Sequence, residues 1–220
     1  MRLAIGDIHG RDFWKHYIHE DFKYFFLLGD YFDSHSLPFS VQYGNFTEIL
    51  GTARADRRVK LCLGNHDYHY LKNVTDIYSG YQREHRDEIR EILENNMDIL
   101  KIVYVTKDNY IISHAGVSAW FMERMKKAGF NDVEGINTAF NENRAILDFN
   151  GKNPFGDDIT QSPIWIRPAS LEKQPLPGYS QIVGHTPVRE IRTVNLPGKP
   201  QKPISVTYID TYDKESVYRF

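Results

Sequence analysis

The chain has 220 residues, with 27 Lys plus Arg against 29 Asp plus Glu, a formal net charge of −2, nine His and one Cys. That length fits one globular domain spanning 1–220, and the near-even charge gives no ground for the broad basic surface of a nonspecific nucleic-acid binder. The lone Cys62 excludes an intramolecular disulfide and a Cys-rich zinc module, and its apolar surroundings predict a buried thiol in a reducing compartment.

The start, "MRLAIGDIHG", passes through a strand-like stretch straight into Gly6 and Asp7. Together with the lack of any apolar run of about 18 residues, this predicts a soluble, cytoplasmic protein with no membrane span and no targeting extension. Short apolar runs then recur, each ending in Gly or Ser before a polar residue: Leu3 to Ile5, Phe25 to Leu28, Val59 to Leu63, Tyr110 to Ile112 and Gln181 to Val183. Such runs read as buried strands. Between them, Tyr81 to Asn96 carries the clearest helical stripe, through Ile89, Ile92 and Leu93. Further helices are expected over Phe13 to His19, Phe46 to Ala53, Ala119 to Ala128 and Glu134 to Leu147. The alternation predicts an α/β layered fold with its ligand site beyond the carboxyl ends of the strands.

Ile99 to Val105, Ser205 to Ile209 and Ser216 to Phe220 also read as strands, the last two with no long helix between them, which suggests a β-rich second sheet or hairpin; the linker-like "NLPGKPQKP" is expected to connect two strands and to carry no chemistry. Asn150 to Gly178, rich in Pro and Gly, is expected to be a long ordered surface loop with a functional role.

The polar groups at the five strand ends are Asp7 with His9, Asp30, Asn65 with His66, His114, and His185. Singly each reads as a turn or cap residue. Gathered on one sheet edge they form an oxygen and nitrogen donor set suited to Mn, Fe, Zn or similar divalent ions, without the thiolates of a structural zinc site. Asp7 and His9, two apart, face the same side of an extended segment. Asp30 is the best candidate for a bridging carboxylate, and Asn65 adds a neutral amide oxygen that limits negative charge near an anionic substrate. Two ions about 3.5–4 Å apart activate water and hold phosphoryl oxygens. The other five histidines, His16, His19, His35, His69 and His85, are read as surface or helix-face residues, with His35 and His69 close to the site.

"GDIHG" (Gly6 to Gly10), "GDYFD" (Gly29 to Asp33), "GNHD" (Gly64 to Asp67), "SHAG" (Ser113 to Gly116) and "GHTP" (Gly184 to Pro187) together resemble the ordered signature of the calcineurin-like metallophosphoesterases, and "YIDT" at Tyr208 to Thr211 extends the likeness. The resemblance is greatest to the phosphoprotein phosphatase branch, in its bacterial and bacteriophage serine/threonine members. It implies a four-layer α/β/β/α sandwich with two central mixed sheets. It also implies one ion on Asp7, His9 and Asp30 and a second on Asp30, Asn65, His114 and His185, Mn²⁺ foremost with Fe, Zn or Ni as alternatives. His66 would be the general acid, oriented by Asp33, and Arg167 would clamp the phosphate, with Asn65 and, more weakly, Arg11 beside it. Thr186 and Pro187 stand where the nuclease pattern carries a second His.

Two departures stand out. Asp33 is followed by Ser34 and His35 where the family has Arg and Gly, which removes one phosphate-binding Arg that His35 or Arg11 would have to replace. Tyr212 stands where Gly is usual. The implied activity is hydrolysis of a phosphomonoester on a protein or small molecule. Dinucleoside polyphosphate hydrolysis, nuclease action and noncatalytic binding are the alternatives.

Overall fold

The computed structural model describes all residues except 151, 152, 154, 197–203 and 212–216. In the first of two five-stranded sheets, β1 (Arg2–Ile5), β2 (Tyr24–Leu27), β3 (Val59–Cys62) and β4 (Leu100–Lys101) run parallel. The second holds β5 (Val103–Val105), β6 (Tyr110–Ser113), β7 (Ser180–Val183), β8 (Arg192–Leu196) and β9 (Ile204–Tyr208). There β6, β7 and β9 are parallel, while β5 and β8 close the two edges antiparallel.

Side chains alternate along each strand. Leu3, Ile5, Phe25, Leu27 and Leu61 therefore face helices, whereas Ala4, Phe26, Leu28 and Cys62 face inward to meet Ile112, Ile182 and Ile209. Burial on both faces is why these strands read as unbroken apolar runs. On the outside of the first sheet lie α1 (Phe39–Ala55), through Phe46 and Ile49, and α3 (Arg86–Glu94), through Ile89 and Leu93. The second sheet is covered by α4 (Ala119–Lys127) and α5 (Gly135–Glu142), which share a core with Ile111, and by the short α6 (Pro168–Lys173), whose Leu171 packs on Val183 and Val206. The result is the expected α/β/β/α sandwich. None of the helices among the described residues is long and apolar enough to cross a membrane.

Several boundaries differ from the sequence expectation. The run Ile99 to Val105 is two strands, because the chain crosses from the first sheet to the second at the buried Ile102. The last strand, β10 (Tyr218–Arg219), joins the first sheet beside β1 and forms no hairpin with β9. The "NLPGKPQKP" stretch does connect two paired strands, β8 and β9, although most of it and Tyr212 lie outside the described residues. Phe13 to His19 shortens to a 3₁₀ turn over Phe13–His16, and Glu134 to Leu147 breaks at Asn143, whose side chain caps the 3₁₀ turn Arg144–Leu147.

Two corrections bear on the site. Helix α1 starts seven residues earlier than the apolar stripe suggests, because its first turns bury the polar Gln42 and Asn45. Gln42 accepts from the Ser34 N–H (3.1 Å) and donates to the Leu37 carbonyl (2.7 Å), while Asn45 joins Trp14 Nε1 (2.9 Å) to the Arg11 carbonyl (3.0 Å). Asn150 to Gly178 is a surface loop only in part: Gln161 to Ile166 are buried, and the Pro163 carbonyl accepts from the Ala115 N–H at 2.7 Å. The same segment supplies α6, while Phe155 stays exposed.

Candidate dinuclear metal centre and phosphate cleft

The carboxyl ends of β1, β2, β3, β6 and β7 meet at one edge and deliver Asp7, Asp30, Asn65, His114 and His185 there. The backbone at these ends is unusual. His9, Asp30, Asp33 and His185 all have φ between 44° and 64°, a region shared among described non-glycine residues only by Asn73 and Asn109. Each such residue costs about 1 kcal/mol or more, a strain that concentrates at functional sites.

The glycines of the motifs supply room for the neighbouring strand's carboxylate. A Cβ on Gly64 would lie 2.0 Å from Asp30 Oδ1, and one on Gly184 would lie 2.5 Å from Asp7 Oδ1. Those same oxygens accept backbone N–H groups, Asp30 Oδ1 from His66 (2.9 Å) and Asp7 Oδ1 from His185 (2.8 Å). Each carboxylate is thus locked by one oxygen and offers the other. Asp67 closes the frame by accepting from the N–H groups of Gly64, Asp30 and Tyr31 at 2.8–2.9 Å.

The imidazole tautomers can be read from their carbonyl partners, since a carbonyl only accepts. His114 Nδ1 donates to the Leu28 carbonyl (2.8 Å) and His9 Nδ1 to that of Phe32 (2.6 Å). In the neutral rings both Nε2 atoms therefore carry lone pairs. His114 Nε2 faces Asn65 Oδ1 (2.9 Å), His185 Nδ1 (3.2 Å) and Asp30 Oδ2 (3.4 Å), and Asp30 Oδ2 lies 3.9 Å from His9 Nε2 on its other side.

Such convergence of electron pairs needs a cation between them, and spacings near 3 Å are those of donors sharing an ion at about 2.0–2.2 Å. Burial pushes the pKa values of His9, His114 and His185 down, which favours the neutral, ligating form. Burial and the charge of Asp30 push Asp7 up to about 8, so the two carboxylates ionise together only beside positive charge. The donor set fits a dinuclear divalent-metal centre.

Beside this cluster stands a second group of potential ligands, Asp33, His66 and His69. His66 Nδ1 contacts Asp33 Oδ2 at 2.9 Å, leaving Nε2 at the cleft. Burial opposes the charged form of His66, but Asp30 and the Asp33 hydrogen bond push its pKa up to about 9. His69, read from sequence as a surface or helix-face residue, is buried with its Nε2 2.7 Å from the same Asp33 oxygen. Its three-residue spacing from His66 on α2 (Asn65–Tyr68) and its C-terminal continuation was the available signal.

The cleft over the centre has a volume of about 1390 Å³ and is lined by Asp7, Asp30, Asn65, His66, Arg11 and Arg167 among others. Arg167 is partly buried, with Nη1 3.2 Å from Thr186 Oγ1. Arg11 is turned back on its own turn, with Nε donating to the Ile8 carbonyl at 3.1 Å and Nη2 to that of Asp7. Ser34 builds the turn into α1, its hydroxyl accepting from Leu37 N at 3.2 Å, while the exposed His35 lies on the cleft wall.

A family model of calcineurin-like phosphoesterases matches residues 2–200, and the chain belongs to that family. It is an enzyme of the metallophosphoesterase type, carrying the paired-metal donor set such enzymes use. No curated protein matches it. Among solved structures it is similar to a cold-active protein tyrosine phosphatase, with 18% identity and a TM-score of 0.58 over 96% of this chain and 69% of that one. The enzyme of that description from the psychrophile Shewanella sp. gives 17% and 0.52 over 96% and 71%. A protein serine/threonine phosphatase from Saccharomyces cerevisiae gives 13% and 0.52 over 95% and 66%. At these identities the likeness is one of fold.

Proposed function

We propose that the chain is a phosphomonoesterase of the phosphoprotein phosphatase branch, acting on a phosphorylated protein or small phosphate ester. The observation that carries this reading is the Asp33–His66 pair at 2.9 Å beside a six-donor metal cluster, because a purely structural metal site has no use for a poised acid. Asp7, His9 and Asp30 would hold one ion, and Asp30, Asn65, His114 and His185 would hold the other. The position of Asp30 Oδ2 between His9 and His114 supports its bridging role. Mn²⁺ is the proposed occupant, in keeping with nitrogen and oxygen donors and no thiolate. When bound, the ions supply Lewis-acid polarisation of the phosphoryl group and an activated water.

Arg167 grips the equatorial oxygens, which suits a guanidinium lining the cleft with one nitrogen anchored on Thr186. As the ester P–O bond breaks, His66 Nε2 gives its proton to the departing oxygen, and Nδ1–H keeps its bond to Asp33. The Asp33 contact favours the protonated form of His66 that this step needs. Asn65 orients the phosphate, and Arg11, held by two carbonyls, contributes field more than contact.

The test is turnover of metal-stripped protein titrated with Mn²⁺, comparing an aryl monoester with its bis-aryl diester. Metal-dependent turnover that strongly favours the monoester is expected. Cleavage of the diester alone would move the protein to the nuclease branch.

A further inference from the structure

Asp33 is a buried carboxylate in a left-handed backbone conformation, and both of its oxygens are met by side chains from one segment of chain, His66 to Gln82. Its Oδ2 meets His66 Nδ1 (2.9 Å) and His69 Nε2 (2.7 Å). Its Oδ1 accepts from the Tyr70 hydroxyl (2.5 Å) and, at 3.5 Å, from Gln82 Nε2. These donors are themselves held. His69 Nδ1 accepts the Tyr78 N–H (3.2 Å), which leaves the proton of the neutral ring on Nε2, facing Asp33. The Tyr70 hydroxyl accepts the Gln82 N–H (2.7 Å) while donating to Asp33.

The rings are fixed by stacking as well, His69 on Tyr78 with centroids 5.1 Å apart and Tyr70 on Tyr81 at 4.7 Å. Gly80 permits the close approach, since a Cβ there would lie 3.0 Å from Asp33 Cβ. The approach of His69 to Asp33 is near but poorly aligned for a hydrogen bond, so it steers the carboxylate by charge and contact more than by a directed bond.

We propose that His69 and Tyr70 are positioning residues for proton delivery: they fix the rotation of the Asp33 carboxylate so that His66 presents Nε2 to the leaving oxygen. The inference rests on the reading of His66 as the general acid. Tyr70 holds one carboxylate oxygen and His69 crowds the other, so the plane of the carboxylate, and with it the direction of the His66 ring, has one setting. Neither residue touches substrate. Both act on the step in which the proton moves from His66 to the departing oxygen while the P–O bond breaks, and neither acts on phosphate binding. His69 in this role is a close neighbour of Asp33 and not a ligand of a third ion.

A leaving-group series separates this role from a general structural one. An aryl phosphate departs as a stable phenolate and needs little protonation, whereas an alkyl phosphate needs its oxygen protonated as it leaves. The kcat ratio of alkyl to aryl substrate is measured for the Mn²⁺-loaded parent, His66→Asn, His69→Leu, His69→Gln and Tyr70→Phe, with bound metal determined on the same samples. His66→Asn is expected to lower the ratio by about 10²-fold or more. His69→Leu and Tyr70→Phe are expected to lower it roughly tenfold with both ions retained. His69→Gln, which keeps an N–H toward Asp33, recovers most of the loss.

A fall of equal size on both substrates, with the ratio intact, would overturn the inference, as would loss of an ion in His69→Gln. Tyr70→Phe preserves the stacked ring and keeps the test decisive if His69→Leu folds poorly. If His66→Asn lowers the ratio and the His69 and Tyr70 variants do not, the inference fails alone. If His66→Asn itself leaves the ratio intact, the general-acid reading fails and takes the inference with it.

Discussion

The metal cluster and the Asp33–His66 arm lie side by side, yet they are held by different means. In the cluster, backbone does the positioning: strand ends from both sheets converge, Asp7 and Asp30 are locked by main-chain N–H groups, and Gly64 and Gly184 leave space for their oxygens. In the arm, side chains of one stretch, His69 to Gln82, surround a single carboxylate. Geometry carried by the backbone of several elements is redundant, whereas geometry carried by side chains fails one contact at a time. Damage to the cluster should therefore remove the ions, and damage to the arm should spare them.

The sharpest break in that contrast is Asp30→Ala. It deletes the carboxylate between His9 and His114 and leaves their lone pairs and that of Asn65 opposed. Loss of bound metal is expected, with turnover down by about 10³-fold or more, since metal stabilisation of the transition state is worth several kcal/mol. Metal analysis and phosphate release on one preparation check it; full activity would sink the bridging assignment. Gly64→Ala attacks the same point through the backbone. Its Cβ meets Asp30 Oδ1 at 2.0 Å, so the carboxylate must move, with metal affinity reduced and roughly 1–3 kcal/mol of stability lost, as for other overpacked sites. Equilibrium metal titration and denaturant unfolding read the two effects separately.

The arm predicts the opposite pattern. Asp33→Ala frees His66 to rotate and is expected to lower kcat by about 10²-fold while both ions stay bound. Parallel loss of metal would show that the arm and the cluster are one structure.

This division also decided what was legible in the sequence. Backbone-positioned donors announce themselves, because a strand end that must turn into a left-handed conformation in close contact with the next strand leaves a Gly followed by the donor, as at Gly29–Asp30 against the Gly64 backbone and Gly184–His185 against the Asp7 carboxylate. The strands β1 to β3 were visible because apolar residues on both of their faces leave short unbroken apolar runs. His69 and Tyr70 were not, since "DYHY" reads as an ordinary aromatic helix end until the Tyr78 to Gln82 segment folds over it. The start of α1 was hidden because polar Gln42 and Asn45 occupy its buried face, serving loops that the sequence does not place beside it. Gln161 to Ile166 misled in the other direction, its turn residues suggesting exposure where tertiary contacts with Ala115 and Leu147 bury it.

The smallest effect belongs to the edge opposite the metal cluster, where an ion pair joins the two sheets beside the packed rings of Tyr110 and Phe220. Arg2, at the start of β1, donates from Nη1 and Nη2 to Asp108, in the turn before β6, at 2.9 and 2.7 Å. That bond holds the pKa of Asp108 down, to about 2. A depressed carboxylate contributes its stability above its unfolded pKa, about 4, and loses it as pH falls through about 2. Asp108 is half exposed, so solvent screening keeps the contribution under about 1 kcal/mol. Asp108→Asn should thus be slightly less stable than the parent at pH 6 and converge with it toward pH 2, measured as the difference in denaturant midpoint. A difference that persists unchanged to pH 2 would mean that shape, not charge, joins the sheets at this edge.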